Sequence, residues 1–204
     1  MRVGDARLAD RRWGQTAAVA GIASVVAYAL VIVVPGPAAV SVLLTFVFGL
    51  GLTIASLGLY FAVAAPTAPR IAVVAVVSNV VAAGQLVAMI LVQLAIGGSG
   101  EPAPRALSAV YLGLDVAWDL YVGAGTFAFA LAMLQHRGFG KPFAWSGMLL
   151  AALLLAFNIA TFPTPPANAG LLDLGPAVAL WYVAVSVQLA RCLRAGGRAE
   201  AAAK

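Results

Sequence analysis

TAAVAGIASVVAYALVIVV, residues 16–34, carries no charged side chain and runs straight into Pro35-Gly36-Pro37. A helix rises 1.5 Å per residue, so about 20 such residues cross the hydrocarbon core of a bilayer. Arg11 and Arg12 precede the run. It is longer than the apolar core of a cleavable leader, and no small-residue cleavage site follows it, so it reads as a first membrane helix.

The same pattern recurs five times along the chain. Further apolar runs occupy residues 38–64, 70–96, 106–134, 143–162 and 171–189. They are separated by Ala65-Pro66-Thr67-Ala68-Pro69, Gly97-Gly98-Ser99-Gly100, the basic stretch around His136, and a proline-rich connection from Thr161 to Gly170. Pro and Gly clusters of this kind end helices. The expected fold is all-α: a polytopic bundle of six transmembrane helices over residues 16–190. A cytoplasmic segment, 1–15, precedes it and a basic cytoplasmic tail, 191–204, follows.

Composition agrees with that reading and excludes others. The chain is 63% hydrophobic and 9% charged, with a mean hydropathy of +1.02. Soluble domains carry roughly a quarter charged residues, so this chain has too few charges to solvate a globule in water. The formal charge of +5 suggests an anionic membrane surface rather than nucleic acid, because the basic residues cluster at the chain ends and in short loops. Cys192 is the one cysteine, which rules out an internal disulfide. It reads as an ordinary membrane-edge residue, with acylation as the sharper alternative.

Lys and Arg placement sets the expected orientation. Arg2, Arg7, Arg11, Arg12, Arg70, Arg137, Lys141, Arg191, Arg194, Arg198 and Lys204 fall on one side of six spans, and Arg105 on the other. By the positive-inside tendency both termini are expected in the cytoplasm, in a multi-pass protein of the cell membrane. Two ridges of small residues, Gly51-Ala55-Gly58 and Ala124-Ala128-Ala132, are expected to let helix backbones approach within the bundle. A homo-oligomer or another membrane partner is the alternative use of them.

The chemistry concentrates in Tyr111-Leu-Gly-Leu-Asp115-Val-Ala-Trp118-Asp119. On a helix, Tyr111, Asp115 and Asp119 recur every four residues, with Trp118 on the same side. A charge at mid-bilayer costs at least about 2.5–3.5 kcal/mol, so this face must turn toward protein or a wet cavity. Two carboxylates one turn apart repel each other and are expected to share a proton. Gln85, Gln93, Asn158 and Asp173 are expected at similar depth in the outer half. Together they suggest an outward-facing acidic pocket with aromatic walls, suited to a cation or amine. The plainer reading is that Asp115 and Asp119 only hydrogen-bond to Gln85, Asn158 or a tryptophan N–H and fix helix register. Asp173, ahead of Leu174-Gly175-Pro176, also reads as a helix cap.

Several chemistries find no residues. His136 is the one histidine, so histidine-built zinc, bis-histidine haem and a Ser-His pair have no basis. No phosphate-binding loop or nucleophile elbow occurs. No cofactor and no metal are expected.

Asp115-Val-Ala-Trp118-Asp119, His136-Arg-Gly-Phe-Gly140-Lys, Asn158-Ile-Ala-Thr-Phe-Pro163-Thr-Pro-Pro166 and Asp173-Leu-Gly-Pro176 resemble a group of small, uncharacterised bacterial six-helix integral membrane proteins. The resemblance covers the C-terminal half. It implies the same topology and, since that group has no established activity, no mechanism.

The leading expectation is binding of a small solute or ion for transport or sensing. Asp119 is its main anionic or proton-carrying group, with Asp115 as partner and Trp118 and Tyr111 as walls. Gln85 and Asn158 would orient the ligand, and Asp173 would join the rim. A ligand-free membrane scaffold or accessory subunit is the second reading. An intramembrane enzyme using the Asp pair as acid and base is the third, weakened by the lack of a second catalytic motif.

Overall fold

The computed structural model describes residues 3–34, 36–64, 68–98, 105–136, 138–161 and 172–202. Within them the chain is helical: α1 (Val3–Val33), α2 (Ala38–Leu59), α3 (Pro69–Gly98), α4 (Arg105–Met133), α5 (Gly140–Thr161) and α6 (Gly175–Ala202). A single π-helical turn, Tyr60–Ala64, extends α2. Six helices are long and apolar enough to cross a membrane, and the fold is the all-α six-helix bundle.

Helix and apolar span are not coextensive. α1 begins at Val3, whereas its apolar span starts at Arg12. α6 runs to Ala202, whereas its span ends at Ala195. The expected helices, starting near Thr16 and ending near Leu189, follow hydropathy. Backbone hydrogen bonding ignores hydropathy and continues through Arg- and Ala-rich flanks, which are good helix formers. At its other end α6 begins at Gly175 rather than near Leu171, a position outside the described residues.

α1 packs on α2 and α6, α2 on α3, α3 on α4, and α4 on α5. Successive helices run antiparallel, so the N-terminal half of α1, the ends of α2, α4 and α6 and the starts of α3 and α5 share one end of the bundle. We call it the terminal end, and the opposite one the distal end.

Close backbone approach makes the seams. A methyl group placed on Gly58 would collide with Ala17 Cβ, and one on Gly51 would lie 2.8 Å from the Ala20 carbonyl. Ala55 faces Gly21, so the Gly51-Ala55-Gly58 ridge closes the α1–α2 seam inside the bundle. Ser24 Oγ donates to the Phe48 carbonyl across it at 2.9 Å. Lipid tails give helices no hydrophobic reason to associate, so such seams rely on dispersion contacts and interhelical hydrogen bonds.

The centre is tied by a polar cluster. Asn79 Nδ2 donates to Ser56 Oγ (3.0 Å) and to Tyr182 Oη (2.7 Å). Thr126 Oγ1 shares a hydrogen bond of 3.1 Å with the same phenol oxygen. Ser56, Asn79, Thr126 and Tyr182 are all buried. They come from α2, α3, α4 and α6, so one network fixes the register of four helices.

At the terminal end the α4–α5 connection is stitched down. Gln188 Nε2 donates to the Gly138 carbonyl at 2.6 Å, and Cys192 Sγ lies 3.5 Å from that oxygen. The Cys192 thiol is thus packed against the loop as a structural contact. Gly138 N–H donates to His136 Nδ1 at 3.1 Å, and the ring hydrogen-bonds the Ala62 backbone in the π turn. A π turn shifts the hydrogen-bond register by one residue and frees a carbonyl for such a partner.

Candidate functional site

The distal end holds a cavity of ≈ 750 Å³ between α1, α3, α4 and the start of α6. Its acidic wall is Asp115 and Asp119 from α4 and Asp173 from the residues leading into α6. Tyr28, Tyr111 and Trp118 supply aromatic surface, and Gln93 a neutral polar group. Met89, Ile90 and Leu94 line the α3 side. Among the described lining residues none is Lys, Arg or His.

Helical periodicity builds the acidic wall. Asp115 and Asp119 are one turn apart on α4, and Tyr111 lies one turn before them, so all three meet the same space. Asp119 is as far along the sequence from Arg105 as from Met133, so the cavity reaches the middle of α4. Its side chain is 6% exposed. Asn158 Nδ2, from α5, donates to Asp119 Oδ2 at 2.9 Å and to the Leu154 carbonyl at 3.0 Å. No described residue donates to Asp119 Oδ1, and Asp119 lines the cavity. Asp115, nearer the mouth, is half-buried.

Asp173 does two things. Its Oδ1 accepts the Gly175 N–H at 2.9 Å and so caps the entry to α6. The same side chain faces the cavity. Three carboxylates with no cation among the described lining residues repel one another, and in a medium of low dielectric that repulsion is poorly screened. A positive ligand relieves it.

A second void of ≈ 30 Å³ lies deeper, walled by Val25, Phe48, Val122, Val178 and Tyr182. Tyr28, Trp118 and Gly175 border both spaces. Phe48 meets Tyr28 at a centroid distance of 5.6 Å and Trp118 edge-on at 5.8 Å. Tyr182 at its base is the phenol of the central cluster.

Neither a family model, nor a curated protein, nor a solved structure matches the chain. The site stands on its own residues.

Of the residues expected at the site, Tyr111, Asp115, Trp118, Asp119 and Asp173 line the cavity. Asn158 stands behind Asp119, on the α5 side. It borders a separate groove of ≈ 320 Å³ between α4 and α5. Gln85 is not among the lining residues; Gln93, two turns nearer the distal end of α3, takes that place. The proline-rich connection that follows α5 falls, for residues 162–170, outside the described residues.

Sequence reasoning missed Tyr28, Phe48 and Asn79. Tyr28 is the one tyrosine of the first apolar run, and Asn79 a lone amide among apolar neighbours. Both signals were present. Phe48 carried none, being one of two Phe residues in a largely apolar helix.

Proposed function

We propose that this protein binds a small cationic solute in the distal cavity, in a cell membrane, for transport or for sensing. The observation that carries the reading is Asp119: a carboxylate 6% exposed, at the middle of a membrane helix, bordering a cavity it shares with Asp115 and Asp173 and with no basic residue among the described lining residues. Leaving such a group without function costs stability, since a buried charge needs a partner. Asn158 supplies one neutral donor, which suits a site that keeps Asp119 oriented while leaving it free to meet a ligand.

The reading includes orientation. Arg12, Arg70, Lys141, Arg191 and Arg194 lie toward the terminal end, and Arg105 toward the distal end. That asymmetry supports termini in the cytoplasm and a cavity opening outward. In a Cys192→Ala background, an impermeant thiol reagent added outside intact cells should label Leu172→Cys and spare Lys141→Cys. The reverse pattern overturns the orientation.

The ligand test uses the purified full chain and its Asp119→Asn variant, screened for thermal stabilisation by cations and amines. A ligand present at 100 times its Kd stabilises by about 2.7 kcal/mol. Stabilisation of the parent and not of the variant supports the reading. A folded parent indifferent to every cation and amine removes it, and leaves the protein a ligand-free scaffold.

A further inference from the structure

We infer that the ligand of this cavity is an organic ammonium ion bearing methyl or short alkyl groups, with its charge among Asp115, Asp119 and Asp173 and one alkyl group directed into the aromatic slot formed by Tyr28, Phe48 and Trp118. The inference rests on the cation-binding reading above and specifies its chemical class.

Three observations carry it. The first is size. A cavity of ≈ 750 Å³ falls within the range that holds small organic molecules, about 300–1,000 Å³. A bare alkali or alkaline-earth ion takes a tight shell of six to eight oxygens at about 2.3–2.6 Å. Among the described residues no three acidic, histidine or cysteine side chains converge in that way.

The second is the open carboxylate. Asp119 is more than nine-tenths buried. Asn158 occupies Oδ2, while Oδ1 has no donor among the described residues. This oxygen, without a donor among the described residues and on a residue that borders the cavity, can meet an ammonium group there by charge, with or without an N–H.

The third is the slot. Directly beneath the acidic wall, Tyr28 and Trp118 continue into the second void, where Phe48 contacts both rings. Apart from the Tyr28 and Tyr182 phenols, its lining side chains are apolar or aromatic, so it offers a water few partners. Its ≈ 30 Å³ admits a methyl-sized group and little more. Phe, Tyr and Trp rings set around one small space beside carboxylates attract an alkylated ammonium through cation–π contact, since its positive charge is spread over its alkyl hydrogens. A naked inorganic ion gains less there, because it holds its water more tightly than the rings repay. Acid and aromatic surfaces are thus arranged in series, as a head and an apolar substituent of one ligand require.

The test measures affinities of tetramethylammonium, ammonium, sodium and calcium for the full chain in nanodiscs, by thermal shift and by calorimetry. Tetramethylammonium should bind the parent at least tenfold more tightly than ammonium, and Asp119→Asn should lose both. Ala179 also lines the slot. Ala179→Leu fills the slot and leaves the acidic wall intact. It should weaken tetramethylammonium tenfold or more while leaving ammonium within about twofold. Phe48→Leu, which removes one ring, should act in the same direction. Equal affinities for ammonium and tetramethylammonium, or tighter binding of sodium or calcium, would overturn the alkylammonium assignment while leaving a cation site in place. Absence of binding by all four to the folded parent would overturn both.

Discussion

Asn158 Nδ2 on α5 donates to Asp119 Oδ2 on α4 at 2.9 Å. This contact sets the buried carboxylate at the inner limit of the distal cavity and ties two helices at the same point. Hydrogen bonds to charged groups contribute about 1.5–3 kcal/mol, and neutral ones about half that. Asn158→Leu should therefore destabilise the protein by about 1.5–3 kcal/mol. The same substitution made on Asp119→Leu should cost under about 1 kcal/mol, because the partner is already gone. Unfolding titrations of the four proteins measure the coupling; equal costs in both backgrounds would show that the two groups do not depend on each other.

The central cluster makes a separate prediction. Asn79→Leu leaves Ser56, Thr126 and Tyr182 buried with fewer partners, and a buried polar group so stranded costs about 1–3 kcal/mol. Tyr182→Phe removes the hydroxyl that two helices share and should cost somewhat less, since polar contacts between membrane helices average about 0.6 kcal/mol each. If Asn79→Leu unfolds no more easily than the parent, the cluster does not hold the four helices in register.

Two glycines should respond in opposite ways. Gly58 has no room for a side chain against Ala17, whereas nothing lies within 4 Å of a methyl group added at Gly84. Gly58→Val should separate α1 from α2 and cost about 1–3 kcal/mol. Gly84→Ala should be neutral or stabilise by up to about 1 kcal/mol, through the lower helix propensity of glycine. Thermal unfolding of the two variants beside the parent decides this; a harmless Gly58→Val would contradict the seam.

His136 predicts acid sensitivity at the terminal end. Burial lowers its proton affinity below the ordinary histidine value, although the hydrogen bond to the Ala62 backbone acts the other way. The folded chain therefore takes up a proton less readily than the unfolded chain. Its contribution to stability is complete above the unfolded value of about 6.5 and is lost as pH falls below that, through the lower folded value. Protonation also removes the Nδ1 acceptor used by Gly138. Unfolding measured from pH 8 downward should fall off more steeply in the parent than in His136→Gln, and parallel curves would rule out this role.

Much of the architecture was readable because lipid imposes a coarse code. Runs such as residues 16–34 announce spans by length and lack of charge. Pro35-Gly36-Pro37 announces an end. The α1–α2 seam was legible from Gly51, Ala55 and Gly58, because spacing by three and four places small residues on one face. Asp115 and Asp119 were legible for the same reason, and their cost in a membrane singled them out.

What was not legible depends on which helix lies beside which. Nothing in the sequence pairs Asn79 with Tyr182, more than a hundred positions away, or brings Phe48 beneath Trp118. Gln85 was the α3 residue expected to meet the ligand, yet Gln93, two turns nearer the distal end, lines the cavity. Only the packing of α3 against α4 puts Gln93 on the cavity. The helical flanks Val3 to Gln15 and Ala190 to Ala202 escaped because hydropathy reports where lipid is, and backbone hydrogen bonding extends beyond it.

The central claim is that the distal cavity is open and anionic and receives positively charged groups. Tyr111 lines its outer part, so a thiol placed there samples the field of the three carboxylates. In a Cys192→Ala background, Tyr111→Cys should react at least tenfold faster with a trimethylammonium-bearing methanethiosulfonate than with its sulfonate-bearing counterpart, each rate taken relative to a free thiol. Neutralising Asp115 and Asp119 as Asn should shrink that preference. Equal relative rates, or a preference for the sulfonate reagent, would contradict the account.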